Sequence, residues 1–216
     1  MTLKRIFFLI SCALSLNSFA GAMGPMEVGP SPSAPYPWAV IGSLGYVNYL
    51  NSDCDGQTAV GRFAIGRKLF TIPYSSFGLE MGVQSGNTMG LDVPESTLDE
   101  LGGVPIQSTM KPMLDLLATA KINFLGSPFF AQLKGGAIYR QWQFDGRNSI
   151  LNLSKINAEV QAGLGYSIGP YGSLSLLYQG VDGGNPNFLI NAACPSGKIS
   201  ALPAQQGVLL SFSLFL

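Results

Sequence analysis

The stretch GVLLSFSLFL, Gly207 to Leu216, decides how the rest of the chain is read. Val208, Leu210, Phe212, Leu214 and Leu216 are apolar at every second position, and Ser211 and Ser213 interleave with them. Side chains alternate across a strand, so a period of two gives one greasy face and one small, polar face. The stretch predicts a β-strand whose apolar face needs apolar surroundings along its whole length. Phe215 falls on the same face as the serines.

Composition extends that reading to the whole chain. The 216 residues are only 11% charged, against about a quarter in ordinary globular proteins, and mean hydropathy is +0.28. Yet no run of 18 apolar residues follows the N-terminus, so no membrane helix accounts for the hydropathy. A closed barrel of membrane-crossing strands reconciles the two, because its lipid face is spread over alternating positions. The 27 glycines and 13 phenylalanines agree with it. Net charge is zero, or −2 once Lys4 and Arg5 are removed with a leader, so no basic surface argues for nucleic acid.

The first segment has a basic start at Lys4 and Arg5, an apolar core from Ile6 to Leu16, and Ser18-Phe19-Ala20 before Gly21. That is the pattern of a secretory signal peptide over 1–20, cleaved after Ala20. Leu9-Ile10-Ser11-Cys12 imitates a lipoprotein box, but cleavage there leaves too short an apolar core, so Cys12 is read as part of the leader. Residues 21–36 with Pro37 carry five prolines and form a lead-in without regular structure, expected in the periplasm. Residues 37–216 form one domain.

Within it, alternation divides into eight segments near the length that crosses a bilayer at a tilt: 37–49, 58–69, 76–88, 109–123, 129–142, 155–168, 171–181 and 206–216. The connections are short at 70–75, 124–128 and 169–170, each with a proline (Pro73, Pro128, Pro170), and longer at 50–57, 89–108, 143–154 and 182–205. Short turns on one side and long loops on the other predict an all-β, eight-stranded, antiparallel up-and-down transmembrane β-barrel, with the long loops outside. Asp92 to Glu100, followed by Gly102-Gly103, reads as a short surface helix near 94–101.

Charge parity tests the barrel. Lys or Arg toward lipid at the midplane costs about 2–4 kcal/mol, so strand charges belong on the inward register. Arg62, Glu80, Asp115, Lys121, Lys134, Arg140, Lys155 and Glu159 all fall there, opposite residues such as Phe63, Met81, Leu116, Leu133 and Val160. Arg67 is the exception, next to the short turn at 70–75, where its stem can reach the headgroups. The inward charges are the candidate functional constellation: a lumen network in which Arg62 and Glu80, on neighbouring strands, can pair. An eight-stranded barrel is just wide enough to be filled by such side chains, so the network reads first as a plug and second as a narrow solute path.

Tyr36, Trp38, Tyr46, Phe63, Phe77, Phe129, Tyr139, Trp142, Tyr166, Tyr178 and Phe212 suit two interfacial girdles. The chain contains no histidine, the usual acid or base of barrel enzymes, and no serine or threonine can be assigned as a nucleophile, so an enzyme is not expected. No cofactor is expected either. Asp53 and Asp55 flank Cys54 without metal-site spacing, so no metal is expected. Cys54 and Cys194 lie in the first and last long loops, which closure makes neighbours; in an oxidising compartment they predict a disulfide.

Gln205, Gly207, Leu210 and Phe212, with Leu214 and Leu216, follow a spacing that resembles the C-terminal assembly signal of bacterial outer-membrane barrels, although that signal usually ends on Phe and here Phe215 is penultimate. With "FGLEMGVQSG", "LLATAKINF" and "FAQLKGGAIYR", the chain resembles the OmpA-like and opacity-type family of small outer-membrane β-barrels from about residue 36 onward. The resemblance implies location in the bacterial outer membrane among its lipids, escort by periplasmic chaperones, insertion by the barrel-assembly machinery, and a monomer. It implies a non-enzymatic envelope-structural or surface-contact, adhesion-like role through the loops, or alternatively a narrow OmpW-like channel for small solutes. No host-surface or solute ligand is identified by it.

Overall fold

The structure, a computed structural model, describes residues 37–50, 57–90, 99, 107–145, 150–186, 188–191 and 194–216. The leader, the lead-in, the helix expected near 94–101 apart from Asp99, and the Cys54 half of the expected disulfide lie outside the described residues, and so does the side chain of Cys194.

Twelve strands are described: β1 (Trp38–Tyr49), β2 (Gln57–Ile72), β3 (Ser75–Gln84), β4 (Thr88–Gly90), β5 (Gln107–Met110), β6 (Met113–Asn123), β7 (Phe129–Asp145), β8 (Leu153–Ile168), β9 (Gly172–Val181), β10 (Phe188–Asn191), β11 (Cys194–Ile199) and β12 (Gln205–Phe215). Eight of them, β1, β2, β3, β6, β7, β8, β9 and β12, make the expected closed antiparallel meander. Each pairs with the next in chain order, and β12 returns to β1. The closing seam runs from Ala39 opposite Phe215 to Tyr49 opposite Gln205. The remaining strands belong to the loop end: β4 and β5 pair with each other and β5 continues onto the end of β7, while β10 and β11 form a separate hairpin. These short pairings were not expected from the sequence, since strands of three to six residues carry too little alternation to read.

The barrel is inside out by the standards of a soluble protein. Leu44 is 74% exposed, Ile156 69% and Met81 66%, whereas Arg62, Glu159 and Arg140 are buried. Outward apolar positions run from Trp38 to Tyr46 on β1, which at about 3.3 Å per residue and a tilt of about 40° covers about 20 Å. That approaches the height of a bilayer's apolar band. Polar Asn48, Gln57 and Gln206 take over at the loop end of the same face, with Tyr178 Oη donating to Gln206 Oε1 at 2.9 Å. At the turn end, Arg67 rests over the Trp38 ring, 5.2 Å from its centroid, so this outward charge is held at the rim.

The short turns work through left-handed backbone. Gly126 and Gly169 have φ of 66° and 65°, and Tyr74, after Pro73, has 67°. An L side chain in that region costs about 1 kcal/mol or more. Gly169→Ala, with open space around its missing Cβ, is therefore expected to lower stability by about 1 kcal/mol through backbone strain alone, read from urea unfolding in lipid vesicles.

Candidate functional site

Among the described residues, buried polar chemistry is concentrated in the lumen. From the turn end, Phe130 is the floor. It is buried, and Gly165 on the paired strand makes room for it: a Cβ there would fall inside the Phe130 ring. Lys121 Nζ sits over that ring at 3.7 Å from its centroid, and 5.6 Å from the Phe215 ring. Inward Phe215 thus shares a cation with the floor. Just above, Ser43 and Ser211 hydrogen-bond hydroxyl to hydroxyl at 2.7 Å across the closing seam.

The charge cluster follows. Arg62 meets Asp115 through two parallel bonds, Nε to Oδ2 at 2.8 Å and Nη2 to Oδ1 at 2.5 Å. This fork geometry is the strong form of the pair. Glu80 Oε2 then joins two cations, accepting from Arg62 Nη1 at 3.3 Å and Lys134 Nζ at 2.8 Å. Two positive and two negative groups balance, all buried. Gly82 lines the cluster, and a Cβ on it would stand 2.8 Å from Arg62 Nη2 and 2.9 Å from the Asp115 carboxylate. The fork fits because that position has no side chain.

The Arg62–Glu80 contact expected from neighbouring strands is present, but Asp115 is the closer partner. Arg140 and Glu159 are in the lumen and outside this ion-pair cluster. Arg140 donates from Nε to Asn157 Oδ1 at 3.2 Å, from Nη1 to the Pro203 carbonyl at 2.8 Å and from Nη2 to the Asp182 carbonyl at 2.8 Å. It clasps both ends of the connection 182–204. Lys155 does not reach the lumen. It lies on the inward register, but β9 ends at Val181 opposite Glu159, so the wall beside Lys155 has stopped and the side chain is exposed.

Above Arg140 the lumen is closed by apolar side chains. Val47, Tyr49, Val60, Met113, Ile138, Trp142 and Val181 from the wall pack with Met110, Phe144, Ile150, Ile199 and Leu202 from the loop end. Trp142 is therefore a buried part of this cap and not a girdle residue: it shares the inward parity of Arg140. Tyr46, Tyr178, Trp38, Phe129, Tyr139 and Tyr166 are outward and exposed, and Phe129 and Tyr166 pack edge to face with centroids 5.2 Å apart. Of the C-terminal pattern, Leu210, Phe212, Leu214 and Leu216 face outward, and Gln205 turns inward to bond Gln179. Among the described residues, no group of three or more acidic or cysteine side chains is placed to hold a metal ion.

Sequence reading by charge alone missed the neutral half of the site. Gln84, Gln161, Gln179 and Gln205 are all buried and hydrogen-bonded to one another or to Glu159. Their signal was available, since all four occupy the inward parity of their strands.

Replacing Arg140 frees the loop stem. Arg140→Ala is expected to lower stability by about 2 kcal/mol, since bonds to a charged donor are worth about 1.5–3 kcal/mol each and the released carbonyls regain water near the rim. Protease cleavage within 182–204 is expected to quicken, which limited proteolysis of the reconstituted barrel followed by mass spectrometry measures.

No family model and no curated protein matches the sequence. Among solved structures the chain is similar to Neisserial surface protein A, at 13% identity over 83% of this chain and 97% of that one, with a TM-score of 0.46. It is similar to Ail, the attachment invasion locus protein of Yersinia pestis, crystallised with the heparin analogue sucrose octasulfate, at 10% identity over 83% and 96% with a TM-score of 0.46. It is also similar to the N-terminal β-barrel domain of Pseudomonas aeruginosa OprF, at 13% identity over 84% and 98% with a TM-score of 0.45. By strand number, antiparallel closure and the inverted polarity of its two faces, the chain is a small eight-stranded transmembrane β-barrel of the outer-membrane type.

Proposed function

We propose that the chain is a non-enzymatic integral barrel of the bacterial outer membrane that acts through the surface it presents at its loop end. The observation that carries this reading is the closed lumen, with Phe130 as floor, an ion-paired middle and an apolar cap. A filled interior leaves no wet path for solutes, and an apolar cap is a poor surface for polar solutes to cross. What remains for function is the rim, that is the connections 50–56, 85–112, 146–152 and 182–204, in which β4, β5, β10 and β11 are described. Glu80 and Asp115 are committed to ion pairs and the sequence offers no histidine, which supports the non-enzymatic reading.

In this reading the barrel is a monomer held among outer-membrane lipids, delivered by periplasmic chaperones and inserted by the barrel-assembly machinery, with Gln205, Gly207, Leu210, Phe212, Leu214 and Leu216 as its assembly signal. The test has two arms. Purified barrel in planar bilayers is expected to give no resolvable conductance steps, and reproducible steps would establish the narrow channel instead. Cells displaying the barrel are expected to bind epithelial monolayers more than cells without it, and to lose the gain when the loops are shaved with protease. Equal binding before and after shaving would remove the surface-contact role.

A further inference from the structure

On the outer wall, one paired row crosses the closing seam with no side chain at its middle member. Leu174 on β9, Phe212 on β12, Gly42 on β1, Phe63 on β2 and Val83 on β3 stand opposite one another in turn. A Cβ on Gly42 would meet nothing within 4 Å. The next outward row toward the loop end repeats the gap one strand over. There Leu210 and Leu44 are followed by Gly61, whose missing Cβ would have only Leu44 Cδ2 near it, at 3.8 Å. The result is an open apolar groove of about 580 Å³, floored by the two glycines and walled by Phe63 and Phe212. Glycine inside a strand weakens it, and often marks a place where something else approaches the backbone closely.

Arg67 gives the groove a direction. It lies on the same strand pair at the turn end, opposite Trp38, with Val40 and Ile65 paired between it and the groove. Gly42 is four residues beyond Trp38, and Gly61 six residues from Arg67, both toward the loop end. At about 3.3 Å per residue and a tilt of about 40°, the floor is about 10–15 Å deeper in the membrane than the guanidinium. That is about half the height of an apolar band of about 25 Å, the depth at which acyl chains of the turn-end leaflet finish. Among the described residues Arg67 has no carboxylate partner, so its charge is open to an anion at headgroup level.

We propose that this face binds one phospholipid, its phosphate at Arg67 and one acyl chain laid along β1 and β2 into the groove over Gly42 and Gly61. The lining suits hydrocarbon, and a gap without neighbouring atoms forfeits dispersion contacts that a seated chain supplies. Arginine suits phosphate, which its planar fork can meet through two N–H donors. The spacing of the two fits a single molecule. A second barrel against the same wall would be held off the floor by Phe63 and Phe212. The bound lipid spans β12, β1 and β2, and so covers the closing seam from outside.

The test is to refold the full chain into phosphatidylcholine vesicles doped with phosphatidylglycerol that carries a diazirine near the end of one acyl chain, and to map photolabelled peptides by mass spectrometry. Labelling around Gly42 and Phe63 is expected to exceed that of the outward positions of β7 by about fivefold. Gly42→Val fills the floor with a residue suited to a strand and is expected to bring the labelling down to the β7 level. Gly135→Val, at an outward β7 glycine with equally open space, is expected to leave it unchanged. Arg67→Gln is expected to lower it about threefold, and Arg67→Lys to restore most of it. Even labelling around the barrel, or labelling that survives Gly42→Val, overturns the proposal and leaves an ordinary lipid annulus. Labelling that rises as the protein is diluted in lipid shows a second copy occupying the groove, and overturns it too. Heat-modifiable migration checks the folding of each variant; should Gly42→Val fail to fold, the wild-type map and Arg67→Gln decide.

Discussion

Asp115→Ala is expected to destabilise the barrel by about 3–5 kcal/mol, the largest single loss in the lumen. The substitution removes both arms of the Arg62 fork and leaves a guanidinium buried with one contact of 3.3 Å to Glu80, itself shared with Lys134. Breaking one side of a buried pair costs that much because the other charge stays desolvated. The pair as a whole is not worth the same amount. A double variant, Arg62→Met with Asp115→Leu, is expected to recover most of the loss, since it removes both charges together, although Glu80 keeps only Lys134. Equilibrium unfolding of the two single variants and the double variant in vesicles, followed by tryptophan fluorescence, closes the cycle. A single-variant loss below about 1 kcal/mol would show that water enters the cluster and that the lumen is not dry.

The second large effect lies on the opposite face. Leu210→Arg puts a cation into the outward row of β12, beside Leu44 and Leu176 on the paired strands, and is expected to cost about 2–4 kcal/mol in a bilayer. Gln206→Arg, two residue pairs nearer the loop end on the same face, is expected to cost about 0–1 kcal/mol. The contrast between the two is the measurement, made by unfolding from vesicles under identical conditions. A water-soluble barrel would reverse the sense, because arginine at an exposed leucine would improve its solubility. Equal, small effects at both positions would therefore remove the membrane reading.

Much of the fold was legible because a membrane barrel writes itself in parity. The apolar rows of β3 and β12 alternate without interruption, and the inward charges of β2, β6 and β7 fall on one register. Partner choice was harder to read. Arg62 and Asp115 are 53 positions apart and meet across β3, which stands between their strands, so neither sequence distance nor neighbouring strands reveal the fork. The cap was hidden for a different reason. Val47, Val60, Met113 and Trp142 occupy the inward register, where a rule of polar inside and apolar outside predicts the reverse. They are apolar because near the rim the barrel becomes a soluble protein, with a core sealed by Met110, Ile150, Ile199 and Leu202. Lys155 misled for the same reason, since register continues where the wall does not.

The seam between the first and last barrel strands also governs how this chain must fold. Residue 39 waits for residue 215 and residue 49 for residue 205, so the contacts that close the cylinder have nearly the greatest sequence separation the domain permits. High contact order makes such closure slow. Until β12 has emerged, β1 and β9 each present a full strand of unpaired amides and carbonyls, the template on which other chains aggregate. A chain shortened by those eleven residues would keep seven strands and every lumen ion pair, yet it would have two raw edges and nothing to satisfy them in lipid. The barrel therefore closes only once β12 is in place against both β1 and β9.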